Sequence, residues 1–137
     1  MKKIIFASHY TFAKGLKDTI EYIIPNAPKI IAISAYLDNK PIEDEIKDVM
    51  DTMDPNDEVV VFTDLMSGSV NQQFVPYVKK NNIYLISGAS VPAVMAVILG
   101  SMNEKLSDVL IRRCLKDAQN QLVYVNDALK VIDDEDE

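Results

Sequence analysis

The only histidine of the chain, His9, stands at the end of its first apolar run, where a buried strand should give way to a loop. Asp64 has the same position after another apolar run, residues 58–63. If the two loops are adjacent, the carboxylate would accept a hydrogen bond from one imidazole nitrogen. That bond would fix the tautomer and leave the other nitrogen free as a nucleophile. The two residue types therefore predict nucleophilic chemistry on His9, with Asp64 orienting the ring.

A loop of small residues follows Asp64 and precedes a predicted helix. Its residues Ser67, Gly68 and Ser69 would present backbone amides at a helix amino terminus, which suits an anionic phosphoryl group. Phosphoryl transfer depends mainly on positioning and on charge stabilisation, and these groups would supply both without a metal. We therefore expect these three residues to bind a phosphoryl group and His9 to become a phosphohistidine.

Each of these residues also has a purely structural interpretation. A lone histidine at a strand end often makes only local hydrogen bonds, and Asp64 could simply cap the turn that follows it. The loop matches neither Gly-x-x-x-x-Gly-Lys-Ser/Thr nor Gly-x-Gly-x-x-Gly, which argues against a nucleotide site. The residue types alone leave open whether His9 reacts.

The elements that must position these loops alternate between two periodicities. Nearly continuous apolar runs predict strands ending near residues 7, 36, 63 and 86, and helical spacing of apolar residues predicts helices after each. Such alternation predicts an α/β fold, a doubly wound, mostly parallel sheet with helices on both faces. If the first and third strands are neighbours in that sheet, the loops that carry His9 and Asp64 flank a switch point, and the two residues should meet there. The predicted helix faces include Phe12, Ile23, Val75, Val78, Leu99, Val109 and Cys114.

The 137 residues predict a single domain, residues 1–130, with an acidic tail at residues 131–137 that we expect to be disordered. Residues 121–125 predict a short fifth strand. Leu65 and Met66 are apolar residues in a predicted loop. They either fold back onto the core or, together with Phe12, form an apolar rim on which a protein partner docks.

Composition excludes several classes of function. No apolar run approaches the roughly 18–20 residues that span a bilayer, and the first residues lack a signal-peptide cleavage pattern, so we expect a cytoplasmic protein. One cysteine and one histidine are too few for a Cys/His zinc site, and we expect neither metal nor cofactor. The formal charge is −7 and no basic stripe is present, which argues against nucleic-acid binding.

Three segments in order carry a family resemblance: Ser8-His9 with Ala13 and Gly15-Leu16, residues 61–64 leading into residues 67–71, and residues 87–92. Together they resemble the IIA component of the mannose-family phosphoenolpyruvate-dependent sugar phosphotransferase system over residues 1–125. The resemblance implies that His9 accepts a phosphoryl group from the phosphocarrier protein HPr. It would pass the group to the IIB component, which phosphorylates the sugar entering through the membrane permease, IIC and IID.

The same resemblance implies roles for neighbouring residues. Asp64 would hold Nδ1 of His9 so that Nε2 is phosphorylated, and Gly68 and Ser69 would donate to the phosphoryl oxygens. A homodimer that exchanges an antiparallel carboxy-terminal strand, here near residues 122–125, is also implied.

The chain departs from the family pattern at four positions. Tyr10 and Ser67 replace glycines, Val70 replaces a proline and Ser90 replaces an asparagine. Two alternatives stay open: the phosphotransferase subunit that serves dihydroxyacetone kinase, and a non-catalytic regulatory module of flavodoxin-like architecture.

Overall fold

Strands and helices alternate through most of the chain in a computed structural model that describes residues 1–78 and 82–136. The strands are β1 (Lys2–His9), β2 (Lys29–Ala35), β3 (Glu58–Thr63) and β4 (Ile83–Ser87). The helices are α1 (Phe12–Ile23), α2 (Ile42–Asp51), α3 (Ser69–Val78), α4 (Val91–Gly100), α5 (Asp108–Gln119) and α6 (Val125–Asp136). None of the helices in the described residues combines the length and the hydropathy needed to cross a bilayer.

The four strands form one parallel sheet in the order β2-β1-β3-β4. In register, Ala7 of β1 lies opposite Thr63 of β3, and His9 lies opposite Ala35 of β2. The chain leaves β1 toward one edge of the sheet and later returns to its other side through β3. The topology is therefore doubly wound, as predicted, with the switch point between β1 and β3.

Alternate residues of each strand pack on opposite faces of the sheet. Ile4 and Phe6 contact the cluster that α1, α4 and α5 cover, whereas Ile5 and Ala7 belong to the cluster under α2 and α3. Phe6 and Phe62 meet edge to face on neighbouring strands, with ring centroids 5.8 Å apart. Both faces of β1 and β3 are thus buried, which explains their almost uninterrupted apolar sequence.

The predicted fifth strand is wrong. Val125 begins α6 instead, and the carbonyl of Tyr124 accepts hydrogen bonds from the backbone N–H groups of Asp127 and Ala128. The apolar residues Val125, Leu129 and Ile132 recur at spacings of four and three, which is a helical period that outweighs the short β-branched run.

Two further predictions fall at the ends of elements. Residues 131–136 lie in α6, where the sequence predicts a disordered tail, and Glu137 lies outside the described residues. The sequence also predicts a helix from about Val70 to Lys80 and a turn at Asn81 and Asn82. Residues 79–81 lie outside the described residues, and Asn82 lies in a turn with φ of 69°.

The buried faces of the helices are narrower than their apolar stripes. Buried residues of α1 are Ala13, Leu16 and Ile20, as expected for one face. Cys114 is buried in α5, again as predicted. Other residues of the predicted stripes flank the buried face and are exposed: Phe12, Ile23, Val75, Val78, Leu99 and Val109.

Candidate functional site

His9 and Asp64 are in direct contact at the carboxyl edge of the sheet. Oδ2 of Asp64 accepts a hydrogen bond from the backbone N–H of His9 at 2.8 Å and lies 2.9 Å from the ring atom Nδ1. Oδ1 accepts the backbone N–H of Leu65 at 3.0 Å. Since β1 and β3 are neighbours and end at the same level, the predicted adjacency of these two residues is confirmed.

The contact defines the tautomer of the neutral imidazole. A carboxylate only accepts hydrogen bonds, so Nδ1 carries the proton and the lone pair of a neutral ring is on Nε2. Burial works to raise the pKa of Asp64, but hydrogen bonds from the backbone and ring of His9 outweigh it and hold that pKa below its ordinary value of 3.8. Nε2 has no hydrogen-bond partner in the part of the chain that the structure describes, and 36% of the His9 side chain is exposed.

Gly68 lies against the edge of the imidazole. A β-carbon at this position would be 2.9 Å from Cε1 of His9, closer than real side chains approach. Ser69 follows as the first residue of α3, so the amino end of this helix is beside the ring. Ser67 is exposed and makes no hydrogen bond to His9 or Asp64, so the structure brings Gly68 but not Ser67 into contact with the pair.

Two buried polar side chains fix the loops of the site. Asn71 of α3 accepts a hydrogen bond from the hydroxyl of Thr63 at 2.8 Å and donates one to the carbonyl of Met66 at 3.0 Å. Oγ of Ser8 accepts the backbone N–H of Ala13 at 2.7 Å, which ties the end of β1 to the first turn of α1. Both residues belong to segments that carried the family resemblance, but their positioning roles did not follow from residue type.

Tyr36 is the site residue that sequence reasoning missed. It follows the last residue of β2 and has a left-handed backbone conformation, with φ at 68°. Its ring stacks on the imidazole of His9, with centroids 5.5 Å apart and an interplanar angle of 25°, and its hydroxyl is hydrogen-bonded to that of Ser69. The sequence feature that could have identified Tyr36 is its position directly after a predicted strand, at the same edge of the sheet as His9.

Three of the four departures from the family pattern have a defined place in the structure. Tyr10 adopts φ of 56°, a conformation that glycine enters more easily, and its N–H donates to the carbonyl of Ala35 at 2.9 Å. Ser90 caps α4, because its hydroxyl accepts the backbone N–H of Ala93 at 3.2 Å. Val70 is fully buried in the core under α3.

The three residues predicted to form an apolar rim, Phe12, Leu65 and Met66, are all exposed. Their exposed fractions are 45%, 56% and 73%. Of the two interpretations of Leu65 and Met66, the structure supports a surface position and not a contribution to the core.

One protein-family model matches most of the chain. The family model described as EIIA-man, the fructose IIA component of the phosphotransferase system, matches residues 3–112. A search of curated proteins found no match.

Several solved structures of phosphotransferase system proteins have the same fold as this chain. A Klebsiella pneumoniae protein described as a phosphoenolpyruvate-dependent sugar phosphotransferase system permease has a TM-score of 0.87 and 29% sequence identity, with 93% of each chain covered. A IIA protein associated with the fucose utilization operon of Streptococcus pneumoniae has a TM-score of 0.77 and 23% identity, covering 93% of this chain and 96% of that one. The mannose/sorbose-specific IIA subunit of Enterococcus faecalis has a TM-score of 0.72 and 16% identity, covering 90% and 94%. The chain therefore belongs to the mannose-type family of phosphotransferase system IIA components.

Proposed function

We propose that the protein is a phosphoryl carrier that accepts a phosphoryl group from phospho-HPr on Nε2 of His9 and passes it to the IIB component. The observation that carries this proposal is the 2.9 Å contact between Nδ1 of His9 and Oδ2 of Asp64. It directs the lone pair of Nε2 away from the carboxylate, on a ring that is partly exposed to a partner.

The transfer step uses the groups of the site. The lone pair of Nε2 attacks phosphorus, the bond from phosphorus to the donor atom of phospho-HPr breaks, and its electron pair returns to the donor. The imidazole then carries a proton on Nδ1 and phosphorus on Nε2, and is cationic. The ionised Asp64 stabilises this charge, and no proton has to leave the ring. Gly68 and Ser69, at the amino end of α3, suit the phosphoryl oxygens.

The apolar rim suits the transient docking that a carrier needs. A carrier has to release each partner after transfer, which favours a small interface with a few apolar contacts. Phe12, Leu65 and Met66 provide such contacts at the same edge of the sheet as His9. Through IIB the chain would act on the membrane permease, IIC and IID, from the cytoplasm.

A homodimer is part of this proposal. All residues from 121 to 132 are exposed, including Leu122, Val125, Leu129 and Ile132. An apolar helix surface of this kind gains stability when a second subunit covers it. Sedimentation velocity would test this, because a monomer at micromolar concentration contradicts it.

Phosphorylation with purified components tests the carrier function. The protein is incubated with phosphoenolpyruvate, the first enzyme of the phosphotransferase system and HPr, and its intact mass is measured. We expect an acid-labile gain of one phosphoryl group that is absent in His9→Ala. Labelling of His9→Ala as strong as that of the wild type would show that the acceptor is another residue. A wild-type protein that takes no label would favour the regulatory module over the carrier.

A further inference from the structure

Tyr36 connects the two halves of the candidate site. Ala35 pairs in register with His9, so the residue after it emerges beside the imidazole. A tyrosine rarely adopts φ of 68°, and such conformations persist at functional sites when the surroundings maintain them. Here the stacked ring and the bonded hydroxyl are the contacts that maintain it, although 61% of the residue is exposed.

The aromatic ring restrains the imidazole in a direction that Asp64 does not control. Asp64 contacts Nδ1 in the plane of the ring, and Gly68 packs at the Cε1 edge. The ring of Tyr36 lies over one face, with an interplanar angle of 25°. Rotation of the imidazole about its bond to the β-carbon would break all three contacts, so Nε2 is held in one place.

The hydroxyl of Tyr36 orients the hydroxyl of Ser69. A phenol is a stronger acid than an aliphatic alcohol, so Tyr36 is the better donor of the hydroxyl pair that it forms with Ser69. Ser69 then accepts, and its single proton stays available for another acceptor. Because Ser69 follows the glycine that contacts the imidazole, a phosphoryl oxygen on Nε2 is the natural acceptor for that proton.

We propose that Tyr36 is a positioning residue for phosphorylation of His9: its ring holds the imidazole, and its hydroxyl orients that of Ser69 as a donor to the phosphoryl group. This inference rests on the proposed carrier function. The contributions of the ring and of the hydroxyl can be measured separately, since Tyr36→Phe removes only the hydroxyl and Tyr36→Leu removes the ring as well.

Nuclear magnetic resonance of the unphosphorylated full chain tests the role of the ring. Labelled with ¹⁵N, His9 reports its tautomer and the exchange of its ring between orientations. We expect Tyr36→Phe to keep the wild-type ring signals, and Tyr36→Leu to broaden them or shift them toward a mixture of tautomers. Tyr22, which is 86% exposed on α1, provides the matched controls Tyr22→Phe and Tyr22→Leu. Unchanged signals in Tyr36→Leu would overturn the role of the ring.

Single-turnover transfer from phospho-HPr tests the role of the hydroxyl. We expect Tyr36→Phe to lower the rate at saturating donor about tenfold, because the hydrogen bond that Ser69 donates to the charged phosphoryl group is then no longer aligned. In a Ser69→Ala background the same substitution should have no further effect, because the hydroxyl acts through Ser69. Equal effects in both backgrounds, or no effect in either, would overturn this role.

The two experiments also separate this inference from the carrier function. If the wild type takes phosphate and the Tyr36 variants match it, the carrier function stands and the inference about Tyr36 fails. If the wild type takes none, the carrier function fails and the role of the hydroxyl with it. The ring signals of Tyr36→Leu then still decide whether Tyr36 positions the imidazole.

Discussion

Gly68 approaches His9 so closely that a single added carbon would reach within 2.9 Å of Cε1. The same carbon would lie 3.4 Å from the β-carbon and the carbonyl oxygen of Leu65. An alanine at position 68 therefore has backbone on one side and the imidazole on the other, and the imidazole is the group that can move.

The first prediction concerns Gly68→Ala. Displacement of the ring should weaken its contact with Asp64 and lower the rate of phosphoryl transfer by roughly 10- to 100-fold, as for other misplaced catalytic groups. Single-turnover transfer from phospho-HPr measures this, and thermal unfolding checks that the fold is intact.

Gly15→Ala is the matched control, since no atom would lie within 4 Å of its added carbon. Gly15 is an exposed residue inside α1, so the variant should transfer at the wild-type rate. It should be more stable by about 0.5–1 kcal/mol, because alanine loses less backbone entropy in a helix. Equal transfer rates in Gly68→Ala and Gly15→Ala would contradict the steric argument.

A second prediction concerns Gly88, the residue after β4. Its φ of 79° lies in the left-handed region, although an added carbon would meet nothing within 4 Å. Gly88→Ala should lower the free energy of unfolding by about 1–2 kcal/mol through backbone strain alone. Gly88→Asn should cost less, because asparagine enters this region more easily. Chemical denaturation measures both, and a more stable alanine variant would refute the prediction.

A third prediction concerns the pH dependence of stability. The pKa of Asp64 is lower in the folded chain than its ordinary value of 3.8, so its carboxylate stabilises the fold above that pH. This contribution should disappear as the pH falls through the lowered value. The difference in free energy of unfolding between wild type and Asp64→Asn should therefore be larger near neutral pH and shrink below about pH 4. Denaturant unfolding across that range measures it, and a difference that grows toward low pH would have the wrong sign.

A fourth prediction concerns the apolar rim. Leu65→Ser with Met66→Ser should raise KM for phospho-HPr about fivefold or more, equivalent to about 1 kcal/mol of docking energy, and leave kcat and the melting temperature unchanged. Val109→Ser is the control, because Val109 is 70% exposed on α5, outside the rim. A loss confined to kcat would place these residues in the chemical step instead of in docking.

Strand pattern and topology were enough to predict the central pair of the site. Buried parallel strands have nearly continuous apolar sequences, and their carboxyl ends share one edge of the sheet. His9 and Asp64 could therefore be placed together from the sequence alone. Cys114 was likewise predictable as a small apolar residue on a helix face.

Tyr36 was not predictable in the same way. Its role depends on a left-handed φ and on a ring contact across β1 and β2, and neither leaves a periodic signal in the sequence. The strand predicted at the carboxy terminus was wrong for another reason. A β-branched run of a few residues, here around Val123 and Val125, is compatible with a strand or with the start of a helix, and only the longer spacing to Leu129 and Ile132 separates them.

The exposed apolar residues of α6 predict that its helix content depends on protein concentration. An isolated helix of 12 residues is marginal in water, so the persistence of α6 depends on what shields it. On serial dilution of the protein, the far-ultraviolet ellipticity per residue should decline as self-association is lost, while the near-ultraviolet signal of the sheet and its aromatic core stays constant.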